Sequence, residues 1–195
     1  MLKTKHISKQ DSRRGQSFVE LMLVVLLLAL LLAGVVEFGF LINQYMHLMD
    51  AARESARFSS SSSPFRPDGS MEPVFYEIAA QVATNVMDPI ALDPARDDVV
   101  ISVFTVSGTS ITRFPDADGW SLYGNRASRF TSAEVMSRIP GTAPGAGVLV
   151  VEVFYSYDHV LDLPVFSDIV PNPIQVHSYT IMPISAAEPT STPGP

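Results

Sequence analysis

An uninterrupted apolar run near the N-terminus constrains this chain more than any other feature. The segment from Phe18 to Phe40 contains only two charged residues, Glu20 and Glu37. As an α-helix it is ~33 Å long, enough to cross the ~30 Å hydrocarbon layer of a bilayer. A secretory signal has a shorter apolar core of ~7–15 residues, followed by a cleavage site at small residues. We therefore expect a retained transmembrane helix over residues 16–40.

Charge predicts the orientation of this helix. Residues 1–14 carry a net charge of +4, whereas the remainder of the chain carries −11. By the positive-inside rule, the N-terminus stays in the cytoplasm and the body is exported across the cytoplasmic (inner) membrane. An acidic body lacks the basic surface that phosphates require, so nucleic acid is not an expected partner. The absence of cysteine excludes disulfides, thiolate catalysis and cysteine-based metal sites.

The two acids of the apolar run need separate explanations. Glu37 lies 17 residues beyond Glu20, which is ~25 Å of helical rise, so the two can occupy opposite membrane boundaries. We interpret Glu37 as a boundary carboxylate that reaches water. Glu20 is followed by 16 uncharged residues, and a carboxylate there is costly unless it meets a cation or water. The alternative for Glu20 is an interfacial residue tolerated near the headgroups.

Three short elements carry a family resemblance. They are RGQSFVE at residues 14–20, GVVEFG at residues 34–39 and AARESAR at residues 51–57. Gly15 with Glu20 five positions later resembles the type IV prepilin signal, and the three elements in this order resemble the TadE-like family of pilus-assembly proteins. Two departures are Leu21, where the family usually has an aromatic residue, and the lack of a proline after the first apolar turns.

The resemblance implies a function. It implies a minor pilin or pseudopilin of a tight-adherence (Flp-type) pilus system, cut by a prepilin peptidase between Gly15 and Gln16. The new α-amino group of Gln16 would lie four residues from Glu20, and Glu20 of a neighbouring subunit could pair with it during assembly. The implied partners are the peptidase, other pilin or pseudopilin subunits, and the inner membrane. The small residues Ala29, Ala33 and Gly34 are candidate helix-packing positions.

The helix is expected to continue beyond the membrane. No proline occurs from Gly39 to Phe58, and apolar residues recur there at three- and four-residue spacing. A run of five serines followed by Pro64 should end the helix near Phe58. We expect the apolar stripe of this outer part to pack on its own domain, although a role in the assembly spine is compatible with that. The stripe comprises Tyr45, Leu48, Met49, Ala52 and Ala56.

The remaining chain predicts a small α+β domain with an antiparallel sheet and short helices. A helix is expected over residues 72–87, with Val74, Ile78, Val82 and Val86 as its apolar stripe. Residues 99–106 and 110–114 should form a hairpin, and a capping box at Thr131 and Glu134 should begin a short helix that ends at Ile139. Residues 141–147 should interrupt the regular secondary structure. Strands over 147–157 and 174–184 should pair, with Leu149, Val151, Val153, Tyr155 and Tyr157 facing the core.

The expected division is a leader (1–15), a transmembrane helix (16–40), its outer continuation (41–58), an exported domain (59–187) and a disordered tail (188–195). No catalytic, phosphate-binding or dinucleotide motif occurs. The four histidines lack metal-ligand spacing. His159 with Asp158 and Asp162 is explained by a strand-end turn, and Asp116 to Gly119 lacks the terminal glutamate of a calcium loop. We therefore expect no enzyme, cofactor or metal. The alternative to a pilin is a single-pass anchored binding module that is neither cleaved nor polymerised; an anchored envelope enzyme has less support.

Overall fold

A single unbroken helix organises the structure. The structure is a computed structural model that describes residues 10–138, 145–161 and 170–187. This helix, α1, runs from Gln10 to Ser59, and its 50 residues span ~75 Å. It confirms the continuous helix predicted from the sequence. It is also the one helix in the described ranges that is long and apolar enough to cross a membrane. Serine hydroxyls end it, because Ser60 and Ser61 donate to the carbonyl oxygens of Arg57 and Phe58.

The predicted α+β class is confirmed. After α1 come a helix, three strands, a short helix and two long strands. Their bounds are α2 (Pro73–Met87), β1 (Asp98–Ser107), β2 (Ser110–Phe114), β3 (Trp120–Ser121), α3 (Ser132–Arg138), β4 (Gly145–Tyr157) and β5 (Ile174–Pro183), followed by a 3₁₀ turn at Ser185–Ala187.

Helix α2 packs on the outer part of α1 through small residues. Pro73 occupies its first turn, as predicted. The buried face, however, is not the predicted valine–isoleucine stripe: Val74 and Ile78 are exposed. Alanines line both sides of the contact because their short side chains let the helices approach closely, and the hydroxyl of Ser55 donates to the carbonyl of Ala79 at 2.7 Å. The buried alanines are Ala51, Ala52 and Ala56 of α1 and Ala79, Ala80 and Ala83 of α2.

The sheet has the strand order β2-β1-β4-β5, with antiparallel pairing throughout, and the two-residue β3 also pairs with β1. The predicted hairpin between β1 and β2 is confirmed, with Ser107 opposite Ser110. The predicted pairing of the two long strands is also confirmed, with Tyr157 opposite Ile174. As a result, the first residues of β1 and β5 and the last residues of β4 lie together, at the ends of the strands. We call this end of the sheet its near edge.

Both faces of the central strands β1 and β4 are buried. Leu149, Val151 and Val153 pack against α1 and α2, which confirms the predicted core face. On the opposite face, Val148 and Val150 form a second cluster with Phe104, Phe130 and Val135. That cover comes from α3 and the chain before it. The predicted capping box is present, since the Glu134 amide donates to the Thr131 hydroxyl and the Thr131 amide donates to the Glu134 carboxylate.

The predicted break over residues 141–147 is wrong from residue 145 onward, where β4 already runs. Gly147 serves a close approach instead, because a Cβ there would lie 2.0 Å from the carbonyl oxygen of Ile184. The predicted end of α3 at Ile139, the aspartate Asp162 and the tail after Ala187 lie outside the described residues, as do residues 1–9 of the leader.

Candidate functional site

The first half of α1 presents its apolar side chains outward. From Phe18 to Val35, the leucine, valine, methionine and phenylalanine side chains are exposed, with the exception of the half-buried Leu30. An exposed surface of this kind needs a membrane or other helices to cover it. The second half behaves differently, because Leu48, Ala52 and Ser55 are fully buried within the folded body. One helix therefore belongs to two environments.

The predicted processing and assembly residues lie on an exposed stretch of α1. The side-chain amide of Gln16 donates to Glu20 Oε1 at 3.2 Å. Gly15 lies within the helix, and a Cβ at this position would meet nothing within 4 Å. Glycine inside a helix is less favourable than alanine by about 1 kcal/mol. Packing among the described residues therefore gives no reason for a glycine at position 15.

The candidate helix-packing residues are divided by the structure. Ala29 is exposed, as expected for a residue that could contact another helix. Ala33 and Gly34 are half-buried, and Gly34 lines a cavity between α1 and the near edge of the sheet. Gly34 therefore faces its own domain.

Glu37 is the most extensively bonded side chain of the apolar run. Its Oε1 atom accepts hydrogen bonds from the Tyr157 hydroxyl at 2.6 Å and the Val160 amide at 2.8 Å. Its Oε2 atom accepts from the Leu161 amide at 2.9 Å. Three donors on one carboxylate satisfy it without solvent. We call Glu37, Tyr157, Val160 and Leu161 the Glu37 clasp.

The clasp corrects the interpretation of Glu37 as a carboxylate that reaches water. The residue is only 8% exposed. Its position at a membrane boundary stays a prediction, but the reason for the acid changes: Glu37 binds the turn that follows β4. Because the end of β4 and this turn come 120 to 124 residues later in the chain, the contact ties the near edge of the sheet to α1.

The surroundings of the clasp keep Tyr157 protonated. Burial and the hydrogen bond to Glu37 raise the pKa of the Tyr157 phenol well above its ordinary value, so the hydroxyl remains a donor. Next to it lies an apolar cavity of about 210 Å³, lined by Gly34, Phe38, Leu41, His159 and Ile174 among others. His159 is buried, and neither ring nitrogen has a hydrogen-bond partner within the described ranges.

The turn after β4 is fixed from the body side as well. Arg96 binds the carboxylate of Asp158 through two nitrogens, with the Nη1 contact at 3.0 Å. The Asn172 side chain accepts from the His159 amide at 3.2 Å. The Asp158 carboxylate therefore forms an ion pair with Arg96, in place of a shared site with His159. No group of metal-ligating side chains occurs in the ranges that the structure describes.

The three elements noted in the sequence lie in different surroundings. In the first, Gly15 and Glu20 are exposed. In the second, Glu37 forms the clasp. In the third, the alanines contact α2 while the arginines face outward, where Arg57 pairs with Glu54. Sequence reasoning missed Tyr157, Val160 and Leu161 as partners of Glu37. The one available signal was a tyrosine on the predicted core face of β4.

Of three comparisons with known proteins, one gives a match, and that match lies within α1. No curated protein and no solved structure gives a significant match to the chain. The family model described as "TadE-like protein" matches residues 15–57. The match begins at Gly15, contains Glu20 and Glu37, and ends at Arg57 after the alanines that bury against α2. Over residues 15–57, therefore, this chain is similar to the TadE-like family.

Proposed function

We propose that this protein is a minor pilin or pseudopilin-like component of a tight-adherence pilus system. Its TadE-like helix supports a pilus-associated role. The observation that carries the proposal is the double character of α1, which is an exposed apolar helix over its first half and a core element of the folded body over its second. A subunit built this way can join a helical bundle through one half and display a domain rigidly with the other. The role is structural, without catalysis.

In this proposal a prepilin peptidase cuts the chain between Gly15 and Gln16. The open surroundings of Gly15 support this, because a glycine that packing does not require is explained by recognition in a peptidase. The cut leaves the α-amino group of Gln16 one helical turn from Glu20. The contact between the Gln16 and Glu20 side chains shows that this spacing brings the two residues together. Glu20 of one subunit then pairs with the amine of its neighbour in the apolar bundle.

The intact mass of the protein, made beside its own prepilin peptidase, tests this proposal. Loss of residues 1–15 is the expected result. Gly15→Leu should abolish cleavage, whereas the control Gly39→Leu should leave it unchanged, because Gly39 is equally open and helical. A mass that retains residues 1–15 in the wild type would overturn the proposal and favour an uncleaved, membrane-anchored binding module.

Assembly is tested separately from cleavage. Glu20→Ala should be cleaved normally but should enter pilus or membrane assemblies less than the wild type, as measured by cross-linking between subunits and by recovery in sheared pilus fractions. Normal incorporation of this variant would refute the pairing of Glu20 with the amine.

A further inference from the structure

Two exposed apolar side chains of the Glu37 clasp lie beside the membrane-spanning part of α1. Val160 is 52% exposed and Leu161 is 39% exposed, and both follow the end of β4 directly. Their amides bind the carboxylate of Glu37. The position of these two residues along α1 is therefore fixed by hydrogen bonds.

That position falls inside the expected span. Glu37 precedes residue 40, the expected end of the span, by three residues, or ~4.5 Å of rise. Side chains of a helix lean toward its N-terminal end. From Glu37 that direction leads into the membrane, so the carboxylate lies deeper than its own Cα atom. The neighbouring Phe38 is 61% exposed and lines the same cavity as Glu37, so apolar side chains of α1 and of the turn lie at one level of the molecule.

We propose that the Val160–Leu161 turn inserts into the outer leaflet of the membrane that α1 spans, so that the exported domain contacts the bilayer at a second point. This inference rests on the membrane anchoring in the proposed function. The occupant of the surface is lipid, because the surface continues the exposed apolar face of α1.

The clasp lowers one physical cost of insertion, that of the unpaired amides of the turn. A turn at membrane depth is tolerated only when its backbone polar groups are satisfied within the protein. Glu37 accepts from the amides of Val160 and Leu161, the two residues whose side chains would enter lipid. The same contacts satisfy the carboxylate, which would otherwise be costly at this depth. Each partner thus allows the other to lie in the membrane.

The chain offers a clean experiment because it contains no cysteine. Val160→Cys and Leu161→Cys, each labelled with a small polarity-sensitive fluorophore, are reconstituted as full-length protein in phosphatidylethanolamine–phosphatidylglycerol vesicles. Part of the lipid carries bromine at acyl carbons six and seven. The matched control is Val74→Cys: Val74 is 50% exposed but lies beside Phe58 in a groove at the far end of α1. That end is ~32 Å from Glu37 along the helix.

Brominated lipid should quench roughly half of the emission at positions 160 and 161, since a group buried ~5–10 Å at the headgroup–acyl boundary is close to those bromines. Aqueous iodide should quench the label at position 74 instead. Equal iodide quenching at 160, 161 and 74, without quenching by lipid, would overturn the inference.

A label at Leu27→Cys separates this inference from the anchor itself. Lipid quenching at 27 with aqueous behaviour at 160 and 161 leaves the anchor intact and refutes insertion of the turn. Aqueous behaviour at 27 refutes both. The emission of Trp120, the one tryptophan of the chain, confirms that each labelled variant is folded.

Discussion

Replacing Glu37 by glutamine should release the turn after β4 without disturbing the sheet. The carboxylate accepts three hydrogen bonds, two at Oε1 and one at Oε2. A glutamine amide can keep the pair from Tyr157 and Val160 on its oxygen, but its NH₂ group then faces the Leu161 amide, donor against donor. The part-buried Leu161 N–H loses its acceptor, and the two remaining bonds are no longer strengthened by the negative charge.

The expected effect follows from those three bonds. Hydrogen bonds to charged groups contribute ~1.5–3 kcal/mol each, so the variant should lower the free energy of local opening by about 2–4 kcal/mol. Since ~1.4 kcal/mol is a tenfold change, the amides of Val160 and Leu161 should exchange with deuterium about 30-fold to 1,000-fold faster. The amide of Val151, in the centre of the sheet, should exchange at its wild-type rate. Exchange at 160 and 161 within threefold of the wild type would refute the clasp.

A pair of tyrosine variants tests the same clasp by a second route. Tyr157→Phe removes one of the three donors and should lower the free energy of unfolding by ~1–2 kcal/mol. Tyr76→Phe is the control: Tyr76 is also fully buried, but its hydroxyl has no partner in the described part of the chain. Removing an unpaired buried hydroxyl should be neutral or stabilising. Thermal unfolding followed by Trp120 fluorescence distinguishes the two, and equal losses would contradict the role given to the Tyr157 bond.

Two further predictions concern the body. Hydrogen bonds from Arg96 lower the pKa of Asp158 below its ordinary value, so the pair should stabilise the fold above about pH 4, and this stabilisation should be lost as pH falls through the folded-state pKa. Denaturant titration of the wild type and Asp158→Asn checks this prediction. The difference in free energy of unfolding should be small near pH 7, as for exposed ion pairs, and should vanish at lower pH. A difference that does not change with pH would refute the role given to this ion pair. Gly147→Ala should destabilise the protein by more than ~2 kcal/mol, because its Cβ would meet the Ile184 carbonyl, whereas Gly39→Ala should not destabilise it; equal melting temperatures for the two variants would contradict the close approach.

Local patterns identified most of the secondary structure. The apolar run, the serine run, Pro73 and the capping box at Thr131 each act within a few residues, so the helices they begin or end were predicted close to their observed positions. Alternation along β4 identified the face that packs on α1 and α2. These features depend on neighbours in sequence, and a single sequence contains those neighbours.

Several features that depend on distant partners were not predicted. The prediction of which face of α2 is buried was wrong, because close approach to α1 favours alanines over the bulkier Val74 and Ile78. The buried carboxylates of Asp98 and Glu152 bind loop amides at residues 123–129, which no local pattern indicates.

The sequence by itself determined that this chain has a long apolar helix, because helical rise and hydropathy are properties of consecutive residues. The placement of Gly15 and Glu20 on it resembles that in the TadE-like family. Only the tertiary structure decided what Glu37 does. Its donors lie 120 to 124 residues away, and they reach Glu37 only because the sheet packs on α1. That folding makes an acid near the end of an apolar run one of the points at which the body is attached to α1.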